Sequence, residues 1–264
     1  MRTATMVRVR TSISRHERQE LILAEMRVGT NVRIGDLAAR FGASTETIRR
    51  DLDLLSQKGL INRTYGGGAP CLSLEPGMRE RHRLLAAERR RIALAAAEAV
   101  ATGDVVMIDA GSSTLHLANV LAGLNRRIVA ITNGLPIADA LGKASQIRVV
   151  VCPGELNAAQ GAVVGPETTA FLAKLNADRA YFGASGLTAD GPTEAESGMA
   201  WVKRAMIERA GEAVLLADHS KFDVRMLEVV CPLADLRRVI TDQAPSDGLA
   251  QALTRSGTEL TIAR

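Results

Sequence analysis

The chain has no run of 18 or more apolar residues among its 264, so a membrane span is not expected. Its first ten residues carry Arg2, Arg8 and Arg10 with no apolar block behind them, which is not the layout of a secretory signal. They read as a loose basic arm, or as an over-long start with Met6 as initiator. Cysteine is scarce: Cys71, Cys152 and Cys231 lie far apart, without metal-type spacing and in a number that cannot fully pair. That usage fits a reducing cytoplasm. The four histidines, His16, His82, His116 and His219, are equally scattered, so no structural metal is expected. Neither Gly-x-x-x-x-Gly-Lys-Ser/Thr nor Gly-x-Gly-x-x-Gly occurs, which leaves nucleotide hydrolysis and dinucleotide binding without support, and no cofactor is expected.

Charge is present but unevenly shared. Residues 1–70 hold twelve Lys and Arg against seven Asp and Glu, a balance of +5, whereas the remainder holds 21 against 22, a balance of −1. A basic small region joined to a near-neutral large one points the first part toward a polyanion. Length and composition suit two soluble domains: a basic arm over 1–14, a first domain over 15–70, a linker over 71–78 rich in turn formers (Pro76, Gly77), and a second domain over 79–264.

In the first domain a helix is predicted over Arg15 to Arg27, with Leu21, Ala24 and Val28 on its apolar face. A second spans Ile34 to Phe41, with Ile34, Leu37 and Phe41 at i, i+3 and i+7. Gly42 makes a tight turn and Ser44 is placed to cap a third helix, Thr45 to Lys58. Ile48, Leu52 and Leu55 share the inner face of that helix, while Thr45, Glu46, Arg49, Arg50 and Asp53 point elsewhere. A polar helix start followed by two arginines suits the DNA major groove, where guanidinium groups read guanine edges or grip phosphates. Leu60 to Tyr65 then alternates and runs into Gly66-Gly67-Gly68, the pattern of a β-hairpin wing with a glycine-rich turn. Arg63 and the amides of Gly66 and Gly67 are candidates for phosphate contacts, which position a protein on DNA without reading sequence. The candidate DNA-binding set is therefore Ser44, Thr45, Glu46, Thr47, Arg49, Arg50, Arg63, Gly66 and Gly67.

The second domain opens on a basic stretch with six arginines between Arg79 and Arg91, read as the solvated face of a helix leading into Ile92 to Val100. Short β-branched runs follow: Val105 to Ile108, Ile128 to Ile131, Arg148 to Val151, Ala180 to Phe182, Ala213 to Leu216 and Arg238 to Ile240. Near-continuous apolar strands alternating with helices predict a doubly wound, Rossmann-like parallel sheet, so the fold class is α/β behind a winged helix-turn-helix. Ligands in such sheets bind beyond the strands' carboxyl ends. There the chain places Asp109-Ala110-Gly111-Ser112-Ser113-Thr114, then Thr132-Asn133-Gly134, then Cys152-Pro153-Gly154. Gly111 to Thr114 combines a flexible backbone, hydroxyls and a helix start, the elements of a phosphate cradle.

The run Ile34-Gly35-Asp36-Leu37-Ala38-Ala39-Arg40-Phe41-Gly42, with Thr47-Ile48-Arg49-Arg50-Asp51-Leu52, resembles the DNA-binding signature of the deoxyribose-operon repressor (DeoR) family. Asp109 to Thr114, Val164-Gly165-Pro166, Phe182 to Leu187, Val202-Lys203-Arg204 and Asp218 to Phe222 resemble that family's sensor domain, so the likeness runs from about Arg15 to Asp242. It implies a sensor similar in fold to sugar-phosphate isomerases and coenzyme A transferases, with a phosphorylated sugar in its cleft. The implied effector set is Asp109, Gly111, Ser112, Ser113, Thr114, Thr132, Asn133, Gly154, Asp178, Gly183, Lys203 and Lys221. The implied partners are a double-stranded DNA operator, the phosphorylated metabolite and further copies of the chain as homodimer or homotetramer. Two departures fall on the ligand edge: Met199 stands where the family often has a glutamate, and Pro153 where a glycine often precedes Gly154. The competing expectations are a sugar-phosphate isomerase with Asp178 or Glu196 as general base, and a DNA-binding protein that senses nothing.

Overall fold

Apolar spacing in the first 70 residues builds a three-helix unit with a small sheet. The computed structural model describes residues 14–28, 32–57, 61–64, 67–70 and 85–264, and the chain divides into two compact units, Met1–Cys71 and Leu72–Arg264. In the first unit α1 (Arg15–Val28), α2 (Ile34–Phe41) and α3 (Thr45–Gln57) bury Ile22, Ile34, Leu37, Ile48, Leu52 and Leu55 against one another. The face of α1 differs from expectation. Ile22 is fully buried and Leu21 lies 40% exposed, because Gln19 and Ile22 are the residues turned toward α3. Asp51 of α3 is buried and accepts Arg18 Nε at 2.6 Å and Gln19 Nε2 at 3.0 Å, a polar tie between the two helices.

Gly42 closes α2 in the left-handed region at φ 60°, its N–H bonding Ala38 O. Ser44 caps α3 as expected, its Oγ accepting the Thr47 N–H at 3.1 Å. The wing comprises β2 (Ile61–Thr64) and β3 (Gly67–Pro70), and β1 (Val32–Arg33) pairs with β3 to give the order β1-β3-β2. Gly67 therefore lies in a strand, not in the turn; a Cβ on it would sit 1.9 Å from Val32 O.

The second unit starts its described part with α4 (Ala86–Glu98) and carries a seven-stranded, wholly parallel sheet. Its strands are β4 (Val105–Ile108), β5 (Ile128–Thr132), β6 (Ile147–Val151), β9 (Ala177–Phe182), β12 (Ala210–Leu216), β14 (Arg238–Thr241) and β15 (Glu259–Ile262), in the order β15-β14-β12-β9-β4-β5-β6. Helices α4, α5 (Ser112–Leu124) and α6 (Leu135–Leu141) cover one face through Ile92, Leu117, Leu121 and Ile137. On the other face are α7 (Pro166–Leu172), α8 (Ser197–Glu208) and α9 (Asp247–Ser256), which pack Leu172, Val202, Met206, Leu249 and Leu253 against it. All six expected strands form. The edge strand β15 was not expected, and neither were β7 (Glu155–Asn157), β8 (Ala162–Val164), β10 (Gly186–Thr188), β11 (Gly191–Glu194) and β13 (Glu228–Val229), which make small antiparallel additions.

Chain order fixes where a ligand can enter. From β4 the chain fills one side of the sheet with β5 and β6, then crosses to β9 and fills the other. The switch point is therefore between β4 and β9, and a crevice opens at their carboxyl ends. No helix among the described residues is long and apolar enough to cross a membrane.

Candidate functional site

At the switch point β4 delivers Asp109 and β9 delivers Gly183. Asp109 N–H bonds Tyr181 O at 3.0 Å, and the Gly183 N–H bonds Asp109 Oδ1 at 3.1 Å, so the carboxylate is held across the two strands. Lys203, projecting from α8, places Nζ 2.6 Å from Asp109 Oδ2 and 3.0 Å from Glu194 Oε2. All three side chains are buried, with 3%, 1% and 8% of their surface exposed for Lys203, Asp109 and Glu194. Burial raises the Asp109 carboxyl above its ordinary range despite Lys203, the Gly183 amide and their opposing pull. Burial alone would lower the Lys203 ammonium, but Asp109 and Glu194 outweigh it and hold it above its ordinary value. Lys203 is thus favoured as a cation by the two carboxyl groups it bridges.

Beside this trio α5 begins. Gly111 is extended and offers no side-chain cap, and the first bond of the helix ladder is Leu115 N–H to Gly111 O at 2.9 Å. The N–H groups of Ser112, Ser113 and Thr114 belong to the first turn, whose amides have no intrahelical acceptor. Ser112 and Ser113, both themselves buried, line the cleft. The first-turn amides, the two hydroxyls and the positive end of the helix are groups of the kind that hold anions, whereas the Lys203 charge is already matched by Asp109 and Glu194.

Seven of the expected effector residues line this cleft: Asp109, Gly111, Ser112, Ser113, Gly183, Lys203 and Lys221. The others lie behind it or away from it. Thr114 is fully buried and donates back to Gly111 O at 3.0 Å. Thr132 Oγ1 accepts the Gly134 N–H at 3.0 Å. Asn133 accepts the Ala110 N–H at 2.9 Å and donates to Val163 O at 3.1 Å, so it is a buried brace of the Asp109 loop, and Thr132 is likewise buried. Gly154 sits at φ 142°, where a Cβ would meet Thr168 Oγ1 at 2.2 Å; its need for glycine is one of backbone conformation and of packing. Asp178 is at the wrong end of its strand. It opens β9 and accepts the Val105 N–H at 2.8 Å, on the edge of the sheet opposite the cleft.

Three lining residues escaped sequence reasoning: Gln160, Glu194 and Ala184. Glu194 ends a four-residue strand and Gln160 lies in the β7–β8 turn, elements too short to announce themselves by periodicity. Met199, where the sequence departs from the family pattern, forms part of the cleft wall and is buried against Ala110 and Ala162. Glu196 is occupied by Asn157 Nδ2 at 2.6 Å and Gln160 Nε2 at 2.8 Å. One arginine of the basic stretch also departs from expectation. Arg89, in the first turn of α4, is buried and bonds Asp218 instead of lying on a solvated face; Arg79, Arg81 and Arg83 lie outside the described residues.

On the first unit, Thr45, Glu46, Arg49 and Arg50 are exposed on α3. Glu46 engages both arginines, with Arg49 Nη1 at 2.8 Å and Arg50 Nε at 3.2 Å. Such exposed pairs are weak, so phosphates can displace them. Ser44 and Thr47 bond each other through their hydroxyls at 2.8 Å. Arg63 lies in β2, and Gly66 is outside the described residues. Gly67 is buried in β3, which is at odds with an open phosphate-facing turn at that residue.

A winged helix-turn-helix on the same chain as an α/β unit with a polar cleft at its switch point defines a DNA-binding regulator with a sensor domain. The chain belongs to the DeoR family of transcriptional regulators: residues 85–243 match the DeoR C terminal sensor domain and residues 18–72 the DeoR-like helix-turn-helix domain. It is 29% identical to a putative aga operon transcriptional repressor of Escherichia coli O157:H7, over 93% of each chain. It is 33% identical to the glycerol-3-phosphate regulon repressor of Escherichia coli K12, over 83% of this chain and 87% of that one. Ribose 5-phosphate isomerase A from Methanocaldococcus jannaschii is a distant structural neighbour, with 17% identity, a TM-score of 0.39, and 52% of this chain and 54% of that one covered.

Proposed function

We propose that this protein represses an operon of carbohydrate metabolism and is released from its operator by a phosphorylated sugar or related metabolite bound at the Asp109 cleft. The carrying observation is the first turn of α5 opening beside buried Lys203, with Ser112 and Ser113 on the cleft surface. The phosphate takes the α5 amides and the two serine hydroxyls, while Lys221, Gln160 and the polar rim meet the hydroxyl-bearing remainder. The effector shifts DNA affinity by the difference in its affinity for two arrangements of the protein. Double-stranded DNA is read by α3, with Arg49 and Arg50 freed from Glu46 on contact, and a homodimer or homotetramer presents two such helices to paired half-sites. The protein works in the cytoplasm and is not an enzyme: Asp109 and Glu194 are both committed to Lys203, and Met199 contributes a thioether to the cleft wall.

The test is fluorescence anisotropy on labelled fragments from upstream of its own and neighbouring genes, in excess competitor DNA at near-physiological salt. Wild-type protein should hold one fragment tightly and release it on addition of one member of a sugar-phosphate panel. Glycerol 3-phosphate is the first to try, given the name of one relative. Ser113→Asp puts a carboxylate where the phosphate belongs, and should bind the same fragment while ignoring the effector. No preference for any fragment removes the repressor reading; a normal effector response in Ser113→Asp removes the phosphate assignment.

A further inference from the structure

Asp218 joins the cleft to the first described helix of the second unit. It follows β12 and is completely buried, with Oδ2 bonded to Arg89 Nε at 2.9 Å; the Arg89 side chain is 3% exposed. Arg89 stands in the first turn of α4, the first described helix after the DNA-binding unit ends at Cys71. From Asp218 a single 3-10 turn, His219–Lys221, runs to Lys221, whose side chain lines the cleft. The turn is fixed at both ends. Asp218 Oδ1 accepts the Ser220 N–H at 3.1 Å and the Lys221 N–H bonds Asp218 O at 3.0 Å, while Asp242 takes the His219 N–H at 2.8 Å and His219 Nδ1 at 2.6 Å. Burial opposes ionisation of Asp218, but Arg89 and then Lys221 outweigh it and hold the carboxyl below its ordinary range. The residue whose carboxylate holds Arg89 also opens the turn that carries Lys221, so one buried aspartate links a cleft lysine to the first turn of α4.

An isolated buried ion pair contributes little net stability, because desolvation offsets most of the attraction. Here the pair fixes the start of α4 to the one turn that carries a cleft cation. We infer that Arg89 and Asp218 are positioning residues of the effector cleft, through which the charge state around Lys221 is transmitted to the first turn of α4. An anion meeting Lys221 draws charge away from Asp218 and so changes the restraint on Arg89. The inference rests on the cleft being the effector site, but its test needs no effector.

The experiment is hydrogen exchange by mass spectrometry on the full chain, comparing wild type, Lys221→Ala, Asp218→Asn and the double variant. Removing the cleft cation should change exchange of the amides of residues 86–92 by at least fivefold. In the Asp218→Asn background the same Lys221→Ala change should have no effect on them. If Asp218→Asn does not fold, Arg89→Met with Asp218→Asn removes both charges and leaves neither buried and unpaired; adding Lys221→Ala to it is read in the same way. Unchanged exchange over 86–92 in Lys221→Ala, or equal effects with and without Asp218, overturns the inference, since a merely structural pair would transmit nothing from Lys221. The phosphate assignment falls or stands separately, on the Ser113→Asp response.

Discussion

Replacing Lys203 by methionine keeps the length of the side chain and removes its charge. The ammonium lies 2.6 Å from Asp109 and 3.0 Å from Glu194, and both carboxylates are nearly sealed from water, so the variant strands two negative charges. Removing one partner of a buried pair costs about 3–5 kcal/mol. For an α/β unit of this size each kcal/mol moves the midpoint by about 2–4 °C, so a fall of roughly 6–20 °C at pH 7.5 is expected. The pH dependence identifies the cause. Burial already raises the Asp109 carboxyl, and loss of Lys203 removes the main opposing influence, so its folded pKa rises further above the unfolded value of about 3.9. A carboxyl with a raised folded pKa takes up a proton on folding, so the destabilisation is full above that folded pKa and shrinks as the pH falls through it. Calorimetric melts of Lys203→Met at pH 7.5 and pH 5 should show a markedly smaller deficit against wild type at the lower pH. Adding Asp109→Asn and Glu194→Gln should recover much of the loss at neutral pH. A midpoint within 2 °C of wild type, or a deficit independent of pH, would refute the buried-trio account.

Arg49→Ala should weaken specific operator binding by about 1–3 kcal/mol if the freed guanidinium reads a base edge, as anisotropy with matched and scrambled fragments will show. Glu46→Gln frees both arginines at little cost in stability, and should tighten non-specific DNA binding and steepen its dependence on salt. Gly154→Ala should lower the melting midpoint through about 1–3 kcal/mol of backbone strain and a clash with Thr168 and Val164, yet leave effector affinity in the folded protein within a few fold.

The parts legible in the sequence are those with a long period or a fixed chemical punctuation. Ile34, Leu37, Ile48, Leu52 and Leu55 sit at helical spacing, and Gly42 and Ser44 mark a left-handed turn and a cap that few other residues supply. Five of the six legible strands are interior, with both faces covered, so each appears as an apolar run; the sixth, the edge strand β6, is legible from its Val149-Val150-Val151 run. Gly111 to Thr114 was legible for a related reason: a strand ending in small and hydroxyl residues before a helix can do little but start that helix at the sheet's carboxyl edge. The edge strand β15 reads Glu259-Leu260-Thr261-Ile262, where polar Glu259 and Thr261 interrupt the apolar residues, so it has no such run.

Polar residues were harder, because their role depends on which end of a strand they occupy and on partners far away in sequence. Asp178 and Asp109 both neighbour parallel strands, but Asp178 precedes the apolar part of β9 and Asp109 follows β4, and that difference in polarity puts them on opposite edges of one sheet. Arg89 sits among three consecutive arginines, and nothing local distinguishes it from Arg90. Its burial follows only from Asp218, which lies 129 positions away and is brought beneath α4 by β12. Lys203 is the same case in reverse, a lysine on a helix whose neighbours do not reveal that β4 and β11 supply two carboxylates to it. A polar cluster buried in this unit is therefore an effect of topology: the switch between β4 and β9 leaves a gap that side chains must fill, and their partners arrive on other strands.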